Sequence, residues 1–262
     1  MPEVVAYLNE AYWATEDAFG TAKAGGFRAV EIPEMFHPAP EDEAGQETLR
    51  ASVEALGLSV IWHTAPAHNR HFGSGDAVLR QANIERTAWE LSFVHRMGWD
   101  TFVIHPGKAE TEADKARAHE ALECLSEQAG ELGIQLALEN ASGPFDGDPG
   151  ELARICQRVP GMRLTYDCSH AFRSEFCRGG QGDLLEHLAI VRPFVHSIQF
   201  NDYDGSTNCE VGKGVLPWGE LMPIALEMGC ETWTIELHGI EETVASKVYL
   251  EQWLNGEGNM PA

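Results

Sequence analysis

The sequence predicts an α/β protein, a single (β/α)8 TIM barrel over residues 1–262. Three observations carry this expectation. The chain has 262 residues, 44% of them hydrophobic, which is enough for one large core and close to the usual size of such a barrel. Eight short apolar runs alternate with longer amphipathic ones. Glycine recurs at the joint that precedes a run, at Gly26, Gly57, Gly98, Gly133, Gly161 and Gly229.

The strand candidates in order are VVAYL (4–8), FRAVEI (27–32), LSVIWH (58–63), TFVIH (101–105), IQLALE (134–139), MRLTYD (162–167), VHSIQF (195–200) and TWTIE (232–236). Between them lie helical patterns. Residues 113–133 place Ala118, Leu122, Leu125 and Ala129 at spacings of three or four and end on Gly133, a fitting residue just past a helix. Residues 82–98 behave the same way and end on Gly98. An open doubly wound sheet is the alternative, but no G-x-G-x-x-G follows the first strand. The widest irregular stretches, 37–46, 65–76 and 169–182, all follow a strand or its immediate tail. In a barrel those loops lie on the catalytic face.

Lys and Arg total 18 against 41 Asp and Glu, a formal charge of −23. Such a field repels phosphate backbones and anionic membranes, so neither nucleic acid nor membrane is an expected partner. A solvated acidic surface is the plain reading of the charge. The six cysteines, Cys124, Cys156, Cys168, Cys177, Cys209 and Cys230, form no C-x-x-C pair and read as reduced thiols. MPEVVAYLNE lacks the basic and apolar regions of a signal peptide. No run approaches the ~18 apolar residues of a membrane span. A soluble, cytoplasmic protein is expected.

The strand ends are where chemistry enters. The second strand runs to Glu31, with Glu34 just beyond. The third ends in His63 and the fourth in His105. The fifth ends in Glu139 and the sixth in Asp167, with His170 one turn on. The seventh offers His196, Gln199 and Asp202, and the eighth ends in Glu236, followed by His238. An apolar strand has no structural need for such groups, and burying an unpaired carboxylate costs several kcal/mol. A divalent cation is a partner that would compensate, and His plus carboxylates suits Zn, Mn, Co or Mg. Any one of these residues also reads as a hydrogen-bonded rim residue, Glu31 as an ion pair at the barrel mouth, and His196, early in its strand, as structural or as a support behind a ligand. His95, His119 and His187 sit in helical patterns and read as surface; His68 and His71 stay open.

The motifs WHTAP (62–66), IHPG (104–107), LENASG (138–143), YDCSHAF (166–172), QFND (199–202), GKG (212–214) and IELHG (235–239) span the chain in order. Together they resemble the xylose isomerase-like barrel superfamily, which includes sugar phosphate isomerases and epimerases, hydroxypyruvate isomerase and endonuclease IV. The resemblance implies a central metal site at Glu139, Asp167, Gln199 and Glu236. Gln199 stands where His is frequent, and its amide oxygen shifts preference toward Mn, Mg or Co. His63 and His105 match positions that hold a second zinc in endonuclease IV. His170 matches a third zinc ligand there, or a residue on a substrate hydroxyl in ketose epimerases. Residues 205–214, GSTNCEVGKG, lack the Asp-x-His that a third zinc requires. Pro144 and Phe145 do not supply a second Glu expected of ketose epimerases, although Asp146 is close, and Lys213 is the cation near the end of the seventh strand.

The resemblance implies proton transfer beside a carbonyl in a small keto-sugar, polyol or sugar phosphate. A divalent metal would stabilise the enediolate while Glu139 and Glu236 remove and return the proton. His170 and Lys213 would orient hydroxyls or a phosphate. Trp62, with Trp13 and Phe172, would form an apolar wall or ordinary packing. The alternatives are a lyase or dehydratase on a similar keto-polyol, a dinuclear zinc phosphoesterase using His63 and His105, and a non-catalytic sugar-binding barrel. The last would be expected to lose one of the four central ligands, and none is lost. Substrate identity and oligomeric state, a homodimer included, stay open.

Overall fold

The computed structural model describes residues 1–33, 42–64 and 71–257. The strands close into a parallel barrel with helices around it: β1 (Glu3–Tyr7), β2 (Ala29–Pro33), β3 (Ser59–His63), β4 (Thr101–Ile104), β5 (Gln135–Glu139), β6 (Arg163–Asp167), β7 (Val195–Phe200) and the last barrel strand, β10 (Thr232–Ile235). The order around the sheet is β1-β10-β7-β6-β5-β4-β3-β2. Every strand expected from the sequence is present within one or two residues. The apolar runs locate the strands because both faces of a barrel strand are buried, one inside the barrel and one beneath helices.

Two compact units make up the chain, Met1–Ile61 with Ser197–Ala262, and Trp62–His196. The first carries α1 (Glu10–Trp13), α2 (Ala18–Ala24) and α3 (Glu43–Leu56). After the chain returns it carries a small antiparallel hairpin, β8 (Asp202–Tyr203) with β9 (Asn208–Cys209), then α10 (Trp218–Met228) and α11 (Ile240–Leu254). Here β1 lies between β2 and β10, with Tyr7 beside Glu31 and Val5 beside Thr234, and β10 sets Thr234 beside Gln199 of β7.

The second unit carries α4 (Ala77–Met97), α5 (Glu112–Glu131), α6 (Pro149–Arg158), α7 (Cys168–Arg173), α8 (Glu175–Arg178) and α9 (Leu184–Val191). Its strands pair with Ile104 beside Leu138 and Glu139 beside Thr165.

The glycine joints are chain reversals. All six take positive φ, and at the end of α4 Gly98 turns left-handed at φ 76° while its N–H closes on the Val94 and His95 carbonyls. A Cβ disfavours that conformation, so Gly is suited to the position. Helix α4 begins five residues earlier than the periodicity from Ala82 indicates. Asp76 caps it by accepting from the Val78 and Leu79 amides. Val78 and Leu79 are exposed in that first turn, so they fall off the buried stripe and obscure the start. Residues 169–182, expected to be irregular, fold largely into α7 and α8. Among the described residues, no helix is long and apolar enough to cross a membrane.

Candidate functional site

In the second unit, the ends of β3, β4, β5 and β6 deliver one polar side chain each. Residues alternate faces along a strand. On β3, Trp62 therefore turns away from His63 and packs with Phe93 and Trp99 at ring separations of 4.9 and 5.8 Å. Its ring is fully buried there, which puts it in the packing between strand and helix. His63, His105 and Glu139 converge instead. Their rings and carboxylate are buried, with Glu139 Oε2 at 3.1 Å from His63 Nε2 and 3.7 Å from His105 Nε2. The two imidazole Nε2 atoms lie 3.0 Å apart. Ligand atoms around a tetrahedral zinc stand about 3.3 Å from each other, given bonds near 2 Å. The spacing of the three groups is compatible with a shared divalent cation.

A second group shares Glu139. Its ligand atoms, with those of Asp167 and His170, all lie within 4.8 Å of one another. Asp167 is fully buried at the end of β6 and caps α7, its Oδ1 accepting from the His170 amide at 2.6 Å and from the Ser169 hydroxyl at 3.2 Å. Burial alone would raise the Glu139 carboxyl; charge on His105 and His63, a hydrogen bond from His63 and charge on His170 together outweigh it and hold the group well below the usual carboxylate range.

Asn140 sets this geometry, and its role is not visible in the sequence. The side chain donates to the Asp167 carbonyl at 3.0 Å and accepts from the Asp167 amide at 2.8 Å. It thus ties the residue after Glu139 to the end of the neighbouring strand. Beside the cluster, the loops after β4 and β5 line a cavity of about 450 Å³ that includes Lys108, Ser142, Phe145 and Asp146. That volume lies in the small-ligand range. Burial pushes the Asp146 carboxyl up, although its Oδ1 accepts from the Gly143 amide at 2.9 Å. Lys108 follows the strand-four motif by one residue and escaped the sequence reading because no charge pattern marks it.

The first unit holds Glu31, Gln199, Thr234 and Glu236. Glu31 is buried, and its oxygens accept from the Gln199 carboxamide at 3.0 Å and the Thr234 hydroxyl at 2.7 Å. The fully buried Gln199 keeps its carbonyl oxygen free of any hydrogen bond among the described residues. A bare buried amide oxygen is what a hard cation takes as a ligand, so Gln199 also fits the metal reading. Glu236 is half-buried just past β10, and the buried Asn9 side chain donates to the neighbouring Leu237 carbonyl.

Other expected residues separate from these groups. Asp202 is fully buried and receives five donors: the Tyr203, Gly212, Gly214 and Leu216 amides and the Trp218 indole N–H, at 2.7 to 3.1 Å. It organises the loop that carries the exposed Lys213. His119 and His187, expected at the surface, are buried. His187 Nε2 lies 3.1 Å from the Gly147 carbonyl, and its ring contacts Tyr166 and Phe176. His119 lies against Phe145. Helical periodicity alone does not reveal that loops cover the outer face of a barrel helix. His95 and His238 are exposed and His196 is half-buried. Glu34 and His68 lie outside the described residues.

The family model for the xylose isomerase-like TIM barrel matches residues 19–252. The chain belongs to that family. Solved structures agree on the fold. A D-tagatose 3-epimerase-like protein is similar over 97% of this chain and 98% of its own, at 17% identity and a TM-score of 0.81. An L-ribulose 3-epimerase is similar over 98% and 96%, at 12% identity and a TM-score of 0.80. A Thermus thermophilus protein soaked with ZnCl2 is similar over 98% and 100%, at 23% identity and a TM-score of 0.77. No curated protein matches the sequence at a significant level.

Proposed function

We propose that the protein is a divalent-metal-dependent isomerase or epimerase of a small keto-sugar, polyol or sugar phosphate. The observation that carries this reading is the convergence of His63, His105, Glu139 and Asp167, buried at strand ends, with the half-buried His170 of α7, in a barrel of this family. The names of the epimerase structures it resembles point the same way.

From the family resemblance, the reading takes Glu139, Asp167, Gln199 and Glu236 as metal ligands. A divalent cation bound there, Mn, Mg, Co or Zn, would polarise the substrate carbonyl and stabilise charge that develops beside it. Glu139 and Glu236 act as the proton-transfer pair. Despite its burial, the neighbouring imidazoles favour the ionised form of Glu139. His170 and Lys213 orient substrate hydroxyls or a phosphate.

The close approach of His63 and His105 favours a second reading, a dinuclear site with phosphoesterase activity. Metal content separates the two. Tag-free protein purified without chelator is analysed by mass spectrometry and then screened against keto-sugars. One Mn, Co or Mg per chain, with a product of unchanged mass, is expected. Two zincs per chain with phosphoester cleavage would replace the proposal. A product lighter by one water would make the enzyme a lyase.

A further inference from the structure

Glu31 is not among the residues that the family resemblance assigns to metal or substrate, yet it is among the most buried acidic side chains in the first unit. Its two oxygens are engaged differently. Oε1 accepts from the Gln199 NH2 at 3.0 Å and Oε2 from the Thr234 hydroxyl at 2.7 Å. The strand register explains how they meet: Thr234 of β10 stands beside Gln199 of β7, and Glu31 comes from β2, one strand beyond β1.

A carboxamide has two chemically opposite ends, and packing barely distinguishes them. Left to itself, a buried Gln at a metal site could offer NH2 or oxygen. A carboxylate oxygen accepts and cannot donate, so Glu31 accommodates only the NH2 end. The carbonyl oxygen of Gln199 is then turned the other way, and it is the atom that has no hydrogen-bond partner among the described residues. Thr234 in turn holds the second Glu31 oxygen, which limits rotation of the carboxylate.

We infer that Glu31 is a positioning residue that fixes the orientation of the Gln199 carboxamide, presenting its oxygen to a divalent cation. The inference rests on the proposed role of Gln199 as a ligand. It also accounts for how a Gln can serve where imidazole is frequent: an imidazole nitrogen needs its tautomer set, and an amide needs its flip set.

The test is a mutant cycle read by Mn2+ binding, with Mn2+ alone as the probe and titration calorimetry as the measurement. Gln199→Ala should weaken Mn2+ binding. Glu31→Gln should weaken it about tenfold to a hundredfold, the usual effect of losing a partner behind a metal ligand. On top of Gln199→Ala, Glu31→Gln should have no further effect. If Gln199→Ala leaves Mn2+ affinity unchanged, the ligand reading falls and this inference with it. If Gln199→Ala weakens binding but Glu31→Gln does not, only the positioning role is overturned. Equal weakening by Glu31→Gln in both backgrounds also overturns it, because the effect then does not pass through Gln199. Thermal unfolding checks that each variant folds. Should Glu31→Gln fail to fold, Thr234→Val removes only the donor to Oε2 and is run through the same cycle; a weakening that persists in the Gln199→Ala background, or none at all, overturns the inference.

Discussion

Asn140 holds Asp167 by both of its backbone polar groups, donating to the carbonyl and accepting from the amide. These are two buried hydrogen bonds between neighbouring strand ends, 27 residues apart in sequence. Asn140→Ala would leave both Asp167 backbone groups buried without that partner. A destabilisation of about 1–3 kcal/mol is expected, from the loss of two buried hydrogen bonds at about 0.5–1.5 kcal/mol each. Chemical denaturation reads the stability, and loss of divalent-metal affinity should accompany it, because the carboxylates of Glu139 and Asp167 lose their common reference. Stability within about 0.5 kcal/mol of wild type would mean the clamp is dispensable.

Asp202 is the corresponding anchor for the Lys213 loop. Asp202→Asn sets an NH2 group against N–H donors that now point at a carboxylate oxygen. Roughly 2–4 kcal/mol of stability should be lost. The amides of Gly212 and Gly214 should exchange with solvent faster, as they are held by Asp202 Oδ2 at 3.1 and 2.8 Å. Hydrogen exchange on the variant and the wild type shows whether the anchor or the hairpin itself orders the loop.

His187 gives the fold an acid sensitivity. Burial pushes its pKa from 6.5 down to about 4, against smaller opposing contributions from the Gly147 carbonyl and the Asp148 charge. The unfolded chain therefore binds this proton first as pH falls. The stability this group contributes is present above pH 6.5 and is lost progressively between about pH 6.5 and 4. The loss is on the order of 3 kcal/mol. His187→Gln should show a shallower fall in stability over the same window. An identical acid slope in both proteins would place the sensitivity elsewhere.

Glu236→Gln tests the proposed proton transfer. The shape is kept and the base is removed, so turnover should fall by at least ~10²-fold, the lower end of general-base effects, while thermal stability stays near wild type. Near-normal activity in that variant would sink the mechanism. Asp167→Ala should act differently, mainly by weakening metal retention, which dialysis followed by metal analysis measures.

Removal of metal has its own signature. If the cluster of His63, His105 and Glu139 or its neighbour with Asp167 and His170 binds a cation in the folded state only, chelation should lower the unfolding midpoint and readdition should restore it. At a hundredfold excess over Kd the linkage is worth about 2.7 kcal/mol. No change in midpoint with Mn2+, Co2+, Mg2+ or Zn2+ would count against any of these groups binding tightly.

The sequence by itself determined where the strands run and which polar residues end them. Both follow from local pattern. IQLALE and MRLTYD are apolar runs closed by a carboxylate, and the structure places β5 and β6 on them, ending at Glu139 and Asp167. What a strand-end group does was decided only by the tertiary structure. Glu31, Glu139 and Asp202 read alike in one dimension. In three dimensions Glu139 meets two imidazoles, Asp202 is enclosed by five donors, and Glu31 takes its partners from 168 and 203 residues away. The same holds for Trp62, whose aromatic partners lie on and just after α4, and for His187, whose acceptor is a loop carbonyl 40 residues distant. A periodic pattern fixes which face a side chain takes, because strand and helix geometry repeat every few residues. It carries no information about the distant group that side chain will meet, and that group decides whether a buried charge is a ligand or a strut.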